Sequence, residues 1–220
     1  MKEEYFKRQI ELWGAKRQDS LKDKSVLIVG SGGLGSSFAY ALGSSGIGSF
    51  DVVDFDRVSY SNIHRQILFD IKDEGRYKAE VFKDKIESRS PNVAITPYFD
   101  KFSDFIKKSD KSYDIILDAT DNFQTRAEID SYAKTREIPW IYTGVEEFFA
   151  KIAFIHKSDF KKLAKFQSSP KGIVAPTVMF AASFSSNLAL RYLAGFEVKK
   201  DLLYYFDLSL DEIALRKFKL

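Results

Sequence analysis

The chain has 220 residues, a length that suits one α/β domain or a domain with a modest extension. Its 45% hydrophobic and 15% aromatic content is ample for a core and argues against disorder, and the net charge of +3 is spread without a basic block, so the pull toward anionic partners is weak. With no cysteines, disulfides, thiolate zinc sites, thioester intermediates and persulfides are excluded for this chain acting alone.

The first nine residues are polar and charged, without the pattern of a secretory signal. Lys24-Ser-Val-Leu-Ile-Val-Gly30 is a short apolar run ending in glycine, as a buried parallel strand does. The glycine-rich Gly30-Ser-Gly-Gly-Leu-Gly35 follows and opens a helical stretch to about Ser45. Phe50 to Asp54 reads as the second strand. Lys78 to Arg89 is helix-periodic through Ala79, Phe82 and Ile86, and Pro91 is expected to stop it. Val93 to Tyr98 alternates like a strand, and Tyr113 to Asp118 is a further buried strand ending in an acid. Asn122 suits the cap of a helix through Arg136, with Pro139 to Thr143 as the fifth strand. Lys151 to His156, Leu202 to Asp207 and Glu212 to Lys219 read as later strands, and the polar, lysine-rich stretch 158–172 as a mobile loop. The apolar-leaning stretch 174–194 carries Ser183, Ser185, Ser186, Asn187 and Arg191, so it reads as a buried helix and not a membrane span. A soluble, cytoplasmic protein is expected.

Strands alternating with helices imply an α/β fold: a doubly wound, mostly parallel, Rossmann-like sheet, here with a C-terminal antiparallel extension. Functional residues should then gather beyond the carboxyl ends of the strands. Gly30, Gly32, Gly33 and Gly35 sit in that strand-to-helix context. Missing side chains let backbone N–H groups approach phosphate oxygens at the positive end of the helix. Asp54 closes the second strand, where an acid accepts hydrogen bonds from a ribose hydroxyl. These features indicate a nucleotide without saying which one, and a nicotinamide-dependent oxidoreductase would show the same set.

Arg65, in Ser61-Asn-Ile-His-Arg-Gln66, and Lys78 add two cations on segments that return to the same edge. Hydride transfer has little use for them, whereas an ATP enzyme needs them as charge builds on departing pyrophosphate. Asp118 could hold Mg²⁺, with Asp121 nearby. Taken singly, Arg65 and Lys78 read equally as solvated surface charge and the two acids as helix caps. Their joint placement beside a phosphate loop favours function.

Beyond these residues, the sequence resembles the MoeB/ThiF/HesA family, bacterial relatives of ubiquitin-activating enzymes. The matching segments are Arg8-Gln-Ile-Glu-Leu-Trp-Gly14, Val29-Gly-Ser-Gly-Gly-Leu-Gly35, Asp54-Phe-Asp-Arg-Val58, Ser61-Asn-Ile-His-Arg-Gln66, Lys78, Asp118-Ala-Thr-Asp-Asn122 and Ala175-Pro176. The resemblance implies a single adenylation domain over 1–220, opened by a helical segment at about 1–20. It implies ATP binding at the loop glycines, Asp54, Asp56, Lys78, Asp121 and the adjoining Asn122, and catalytic roles for Asn62, Arg65, Lys78 and Asp118. It also implies a homodimer in which Arg8 reaches the partner's triphosphate.

Many members carry two cysteine pairs for zinc and a further acyl-accepting cysteine, and this chain has neither. The chemistry implied is the first half-reaction, carboxylate attack on the α-phosphorus of ATP. A carboxylate is already ionised at pH 7, which fits a site without a catalytic histidine. His64, with no evident partner, and His156 are expected to be structural. The implied substrate is a small ubiquitin-like sulfur carrier ending in Gly-Gly, of the thiamine or molybdopterin pathway, with thiamine slightly preferred. Other readings are adenylation of a small-molecule or tRNA-borne carboxylate, or a non-catalytic scaffold for an activating subunit. A basic, aromatic-interleaved patch is lacking, which argues against nucleic acid. The dehydrogenase reading ranks last.

Overall fold

Residue burial along the apolar runs explains why they become strands: Val26, Leu27, Ile28 and Val29 are all buried, as only a strand covered on both faces requires. In the computed structural model, which describes residues 2–90, 92–166, 172–209 and 211–220, three short helices come first. These are α1 (Lys2–Tyr5), α2 (Lys7–Trp13) and α3 (Ala15–Ser20). Then follow β1 (Ser25–Val29), α4 (Gly33–Leu42), β2 (Ser49–Val53), α5 (Lys78–Glu87), β3 (Ala94–Tyr98), α6 (Phe102–Lys108), β4 (Ile115–Asp118), α7 (Phe123–Thr135) and β5 (Trp140–Glu146). The chain ends with β6 (Phe149–Ile155), α8 (Ala175–Leu193), β7 (Leu202–Asp207) and β8 (Ala214–Lys219).

The eight strands form one sheet in the order β3-β2-β1-β4-β5-β6-β7-β8. Pairing is parallel from β3 through β5 and antiparallel from β5 to β8, as expected from the sequence. Side chains alternate between two cores. Val26, Ile28 and Val52 face a layer that holds α4, α5 and α8, with Phe38, Phe82 and Ala182 buried in it. Leu27, Val29 and Val53 face the layer of α6 and α7, with Phe105 and Ile129. The stretch read as a buried helix is α8, against α4, β5 and β6, and no helix among the described residues is long and apolar enough to cross a membrane. Helix α6 escaped the reading because its Phe102 and Phe105 are its only buried residues, too short a period to stand out.

The polar stretch 158–172 divides. Residues 160–166 form a 3₁₀ helix, with Phe160 and Leu163 buried against Trp140 and Tyr142. Residues 167–171 of the expected loop lie outside the described residues, as does Pro91, the expected stop of α5. Strand β3 is one edge of the sheet and carries Pro97, whose missing N–H is tolerated there. Strand β8 is the other, and its exposed Leu215, Arg216 and Lys217 alternate sides of the sheet.

Asp201, in the left-handed region at φ 57°, joins the end of β6 to the start of β7. It accepts the backbone N–H of His156 (2.9 Å), Lys157 (3.0 Å) and Ser158 (3.0 Å) and the Ser158 hydroxyl (2.7 Å). Burial alone would raise its pKa, but these donors outweigh it and lower the carboxyl from 3.8 to about 2. A depressed acid stabilises the fold above its unfolded pKa and loses that contribution as pH falls through the folded value. Asp201→Asn should therefore be less stable than wild type at pH 7 in urea titrations, and the gap should close between about pH 4 and about pH 2.

Candidate nucleotide-binding site

A cavity of about 670 Å³ opens at the carboxyl ends of β1, β2, β4 and β5, where the strand order reverses between β1 and β4. The glycine loop forms one wall. Gly30 has φ +94°, and a Cβ there would lie 2.7 Å from the Ala119 carbonyl oxygen. A Cβ on Gly35 would lie 2.3 Å from the Gly30 carbonyl oxygen, so only glycine lets α4 start this close to β1. Gly32 caps α4 without a side-chain bond, leaving the helix's first N–H groups to a ligand, and Gly32 and Gly33 line the cavity. Gly35 is buried behind them.

Asp54 and Asp56 follow β2. Buried Asp54 accepts the N–H of Ser31 (2.6 Å) and of Asp56 (2.8 Å), tying the glycine loop to the second strand. Burial pushes its carboxyl above the ordinary range, moderated by Lys78 and the two N–H donors. Lys78, its side chain 7% exposed, starts α5 and donates to Asp56 at 2.9 Å. Lys78 is thus a positioned cation of the cavity wall and not a solvated surface charge.

Arg65 also lines the cavity, its guanidinium donating to the Ser61 carbonyl (3.2 Å) and His64 Nε2 (2.9 Å). His64 therefore has a partner, contrary to the expectation, and it is exposed; adjacency in sequence hid the pairing. Gln66 is buried on the same wall with an Oε1 that has no hydrogen-bond partner among the described residues, and Ser31 Oγ in the loop is likewise unpaired. The Ser31 hydroxyl can donate to a ligand oxygen beside the glycine cradle, whereas Gln66 Oε1 can only accept and calls for a ligand hydroxyl or N–H.

Asp118 is placed differently from the expectation. It is fully buried and does not line the cavity. Its Oδ1 accepts the N–H (2.9 Å) and hydroxyl (2.6 Å) of Thr120, and its Oδ2 accepts Arg126 Nε at 2.9 Å. Both oxygens are committed within the protein, so Asp118 does not fit a metal ligand as it stands. Among the described residues no group of three or more His, Cys, Asp or Glu side chains could hold a metal. Asp121, exposed, is one of several acids that line the cavity, next to Asn122, whose side chain caps α7 by accepting Thr125 N–H at 2.8 Å.

Asn62 and Arg8 are not brought to the cavity. Asn62 ends a 3₁₀ turn, and its carbonyl accepts the N–H of Arg65 (3.1 Å) and Gln66 (3.0 Å), so it shapes the loop that presents both. Arg8, its side chain 91% exposed, pairs with Glu11 at 3.0 Å on α2, a helix that buries none of its residues.

The sequence reading missed Arg126, Glu146 and Lys151. Arg126 lines the cavity yet is buried, and it binds Asp118, the carbonyls of Thr120 (2.5 Å) and Thr143 (3.1 Å), and the face of Tyr142 at 4.8 Å. Burial opposes its charge, but Asp118 more than restores it. The available signal was its spacing: Arg126, Ile129 and Ala133 share the buried face of α7.

This fold and cavity define an α/β domain of the doubly wound class. The chain belongs to the ThiF family, whose profile matches residues 6–220. It is 34% identical over 144 residues to the sulfur carrier protein adenylyltransferase of Thermus thermophilus, a match covering 65% of this chain and 53% of that protein. It is 30% identical over 204 residues to the molybdopterin-synthase adenylyltransferase of Escherichia coli K12, covering 87% of this chain and 82% of that one. The chain thus spans about half the length of the Thermus relative. The solved structure of PaaA superposes with a TM-score of 0.84 at 24% identity, over 99% of this chain and 73% of that one, and shares the fold.

Arg126→Met should leave Asp118 buried and unpaired, a loss of about 3–5 kcal/mol in chemical denaturation. Adding Asp118→Asn should restore part of it. A double variant no more stable than the single one would mean that the pair is not coupled.

Proposed function

We propose that the chain is a single adenylation domain that joins AMP to a carboxylate, in the cytoplasm, with ATP as its cosubstrate. The carrying observation is a glycine cradle flanked by Arg65 and Lys78, two held cations on one cavity wall. Its relatives, a sulfur carrier protein adenylyltransferase and a molybdopterin-synthase adenylyltransferase, support a protein substrate, which in this reading is the C-terminal glycine of a small ubiquitin-like sulfur carrier ending in Gly-Gly.

In this reading Asp54 receives the ribose hydroxyls and the N-terminal N–H groups of α4 receive phosphate oxygens. One carboxylate oxygen of the substrate forms a bond to the α-phosphorus while the bond from that phosphorus to the bridging oxygen breaks, and pyrophosphate leaves with the electron pair. No proton needs to move, because the nucleophile arrives ionised. Arg65 and Lys78 stabilise the charge that builds on the leaving phosphates, and Asn62 sets the loop that aims Arg65. Magnesium would accompany the triphosphate. One or two acids with phosphates and water suit its preference, and Asp121, exposed on the cavity wall, would supply one, while Asp118 is Arg126's buried partner. Lys78, held by Asp56 and buried, has no such position in the scaffold reading.

Carrier-dependent pyrophosphate exchange tests the assignment. Arg65→Ala and Lys78→Ala should each slow exchange by about two orders of magnitude or more with the circular dichroism spectrum preserved, the size of a lost transition-state donor. Wild-type exchange in either variant would place that residue outside the reaction.

The same reading includes a homodimer in which Arg8 of one chain completes the partner's site. Arg8 is exposed on a helix with no buried residue, and Leu12 beside it is 75% exposed, which leaves that segment a face for a second copy. Inactive Arg8→Ala chains mixed with inactive Arg65→Ala chains should regain up to about a quarter of wild-type activity by statistical exchange. A mixture that exchanges subunits and stays inactive would place Arg8 outside the reaction.

A further inference from the structure

Tyr142 on β5 belongs to the cavity wall, and the chemistry above leaves it unused. It lies one position beyond the Leu117–Ile141 pair that joins β4 to β5, as Asp118 does on β4. Only 2% of the residue is exposed. Trp140 and Phe160 pack on its ring with centroids 6.5 and 5.9 Å away, and the Arg126 guanidinium lies over it at 4.8 Å. Its hydroxyl makes no hydrogen bond among the described residues, and the enclosed ring leaves that oxygen only the cavity to turn to. An unpaired hydroxyl in so dry a place is costly, so the position calls for a partner that the chain does not supply. Gly144, two residues on and therefore on the same face, makes room for it. A Cβ at Gly144 would lie 2.5 Å from the phenolic oxygen. Gly144 does not take the left-handed conformation that favours glycine, so space for the phenol is the reason for its missing side chain.

The phenol is a donor at neutral pH. Burial holds its pKa above the ordinary value; Arg126 opposes that shift, and Asp118 and Glu146 add to it. The ion pairs beside it, Asp118 with Arg126 at 2.9 Å and Glu146 with Lys151 at 3.1 Å, bring both signs of charge and no net field of one sign. The order of strands across the opening, β2, β1, β4, β5, says what the hydroxyl meets. In the adenylation reading Asp54 beyond β2 takes the ribose and the glycine loop beyond β1 takes the phosphates, so the nucleotide fills one half. The half over β4 and β5 is left to the carboxylate that comes to meet them. One carboxylate oxygen attacks phosphorus. The other becomes the carbonyl oxygen of the acyl adenylate, and in a site poor in water it needs a hydrogen bond. We propose that the Tyr142 hydroxyl donates to this non-attacking oxygen and so turns the carboxylate for attack. No proton leaves the phenol, and the cations stay with the pyrophosphate. The inference rests on the adenylation reading and adds a substrate-positioning residue to it.

Tyr142→Phe tests it by removing one oxygen and keeping the ring in its packing. Two ligands are titrated by calorimetry into wild type and variant. AMP carries the phosphate and no acyl group; the N-acetylsulfamate of adenosine is a stable mimic of an acyl adenylate, and its acetyl oxygen stands for the acyl oxygen. The variant should bind the acetyl mimic about 3- to 10-fold more weakly, the size of one net hydrogen bond, and AMP as wild type does. In pyrophosphate exchange the KM for the carboxylate substrate should rise by a similar factor while that for ATP stays. Without ligand the variant should melt no lower than wild type, because the hydroxyl has no partner in the protein to lose. Equal weakening of AMP and the mimic overturns the inference, since the phenol would then serve the phosphate or the fold. So does unchanged binding of both, or a melting temperature that falls with the hydroxyl. If ATP, AMP and the mimic all fail to bind the wild type, the adenylation reading itself fails and takes the inference with it.

Discussion

The cavity depends on how closely α4 approaches the end of β1. Gly35 sits where a methyl group would lie inside the Gly30 carbonyl, and Gly30 takes a backbone conformation that side chains resist. Because the helix starts so near the strand, the Ser31 N–H meets the Asp54 carboxylate at 2.6 Å and the second strand is bound to the loop. The same closeness removes water from Asp54 and makes it harder to ionise, and Lys78 offsets part of that penalty. Lys78 is in turn held by Asp56. A steric allowance at two glycines thus propagates through an acid to a fixed cation.

On the other face of the sheet, charges alternate across the strand ends: Asp118 on β4, Arg126 from α7, Glu146 on β5 and Lys151 on β6. Each is buried or nearly so, with Asp118 and Arg126 2.9 Å apart and Glu146 and Lys151 3.1 Å apart. Such a row keeps cations and anions fixed before any ligand arrives, so little reorganisation is left for the moment at which charge moves. Within this row both Asp118 oxygens already accept hydrogen bonds, from Thr120 and from Arg126. The carboxylate's charge is balanced from within the protein.

Most of the architecture was legible because a doubly wound sheet writes itself as short apolar runs ending in glycine or acid, each followed by a helical period. The glycine loop, Asp54, Arg65 and Lys78 were legible for the same reason, since strand ends fix where they fall. The pairing of Asp118 was not legible, because the arginine that binds it lies eight residues on, inside a helix, and sequence spacing does not reveal which side chain folds back. Lys151 was hidden in another way. At the start of an apolar run a lysine reads as the exposed end of a strand, and only the antiparallel pairing of β5 with β6 turns it inward. His64 shows the reverse error, a residue judged partnerless beside its partner.

The two borders of the sheet are both poor templates for another strand. Pro97 interrupts the row of donors along β3, and β8 presents Arg216 and Lys217 with Lys219 beyond them, which a foreign strand would have to desolvate or repel. A chain with 45% hydrophobic residues and 20 phenylalanines carries an evident hazard of cross-β growth. Blunt margins keep that hazard away from the folded sheet and direct any self-association to helical surfaces, where contacts are discrete and symmetry can close them.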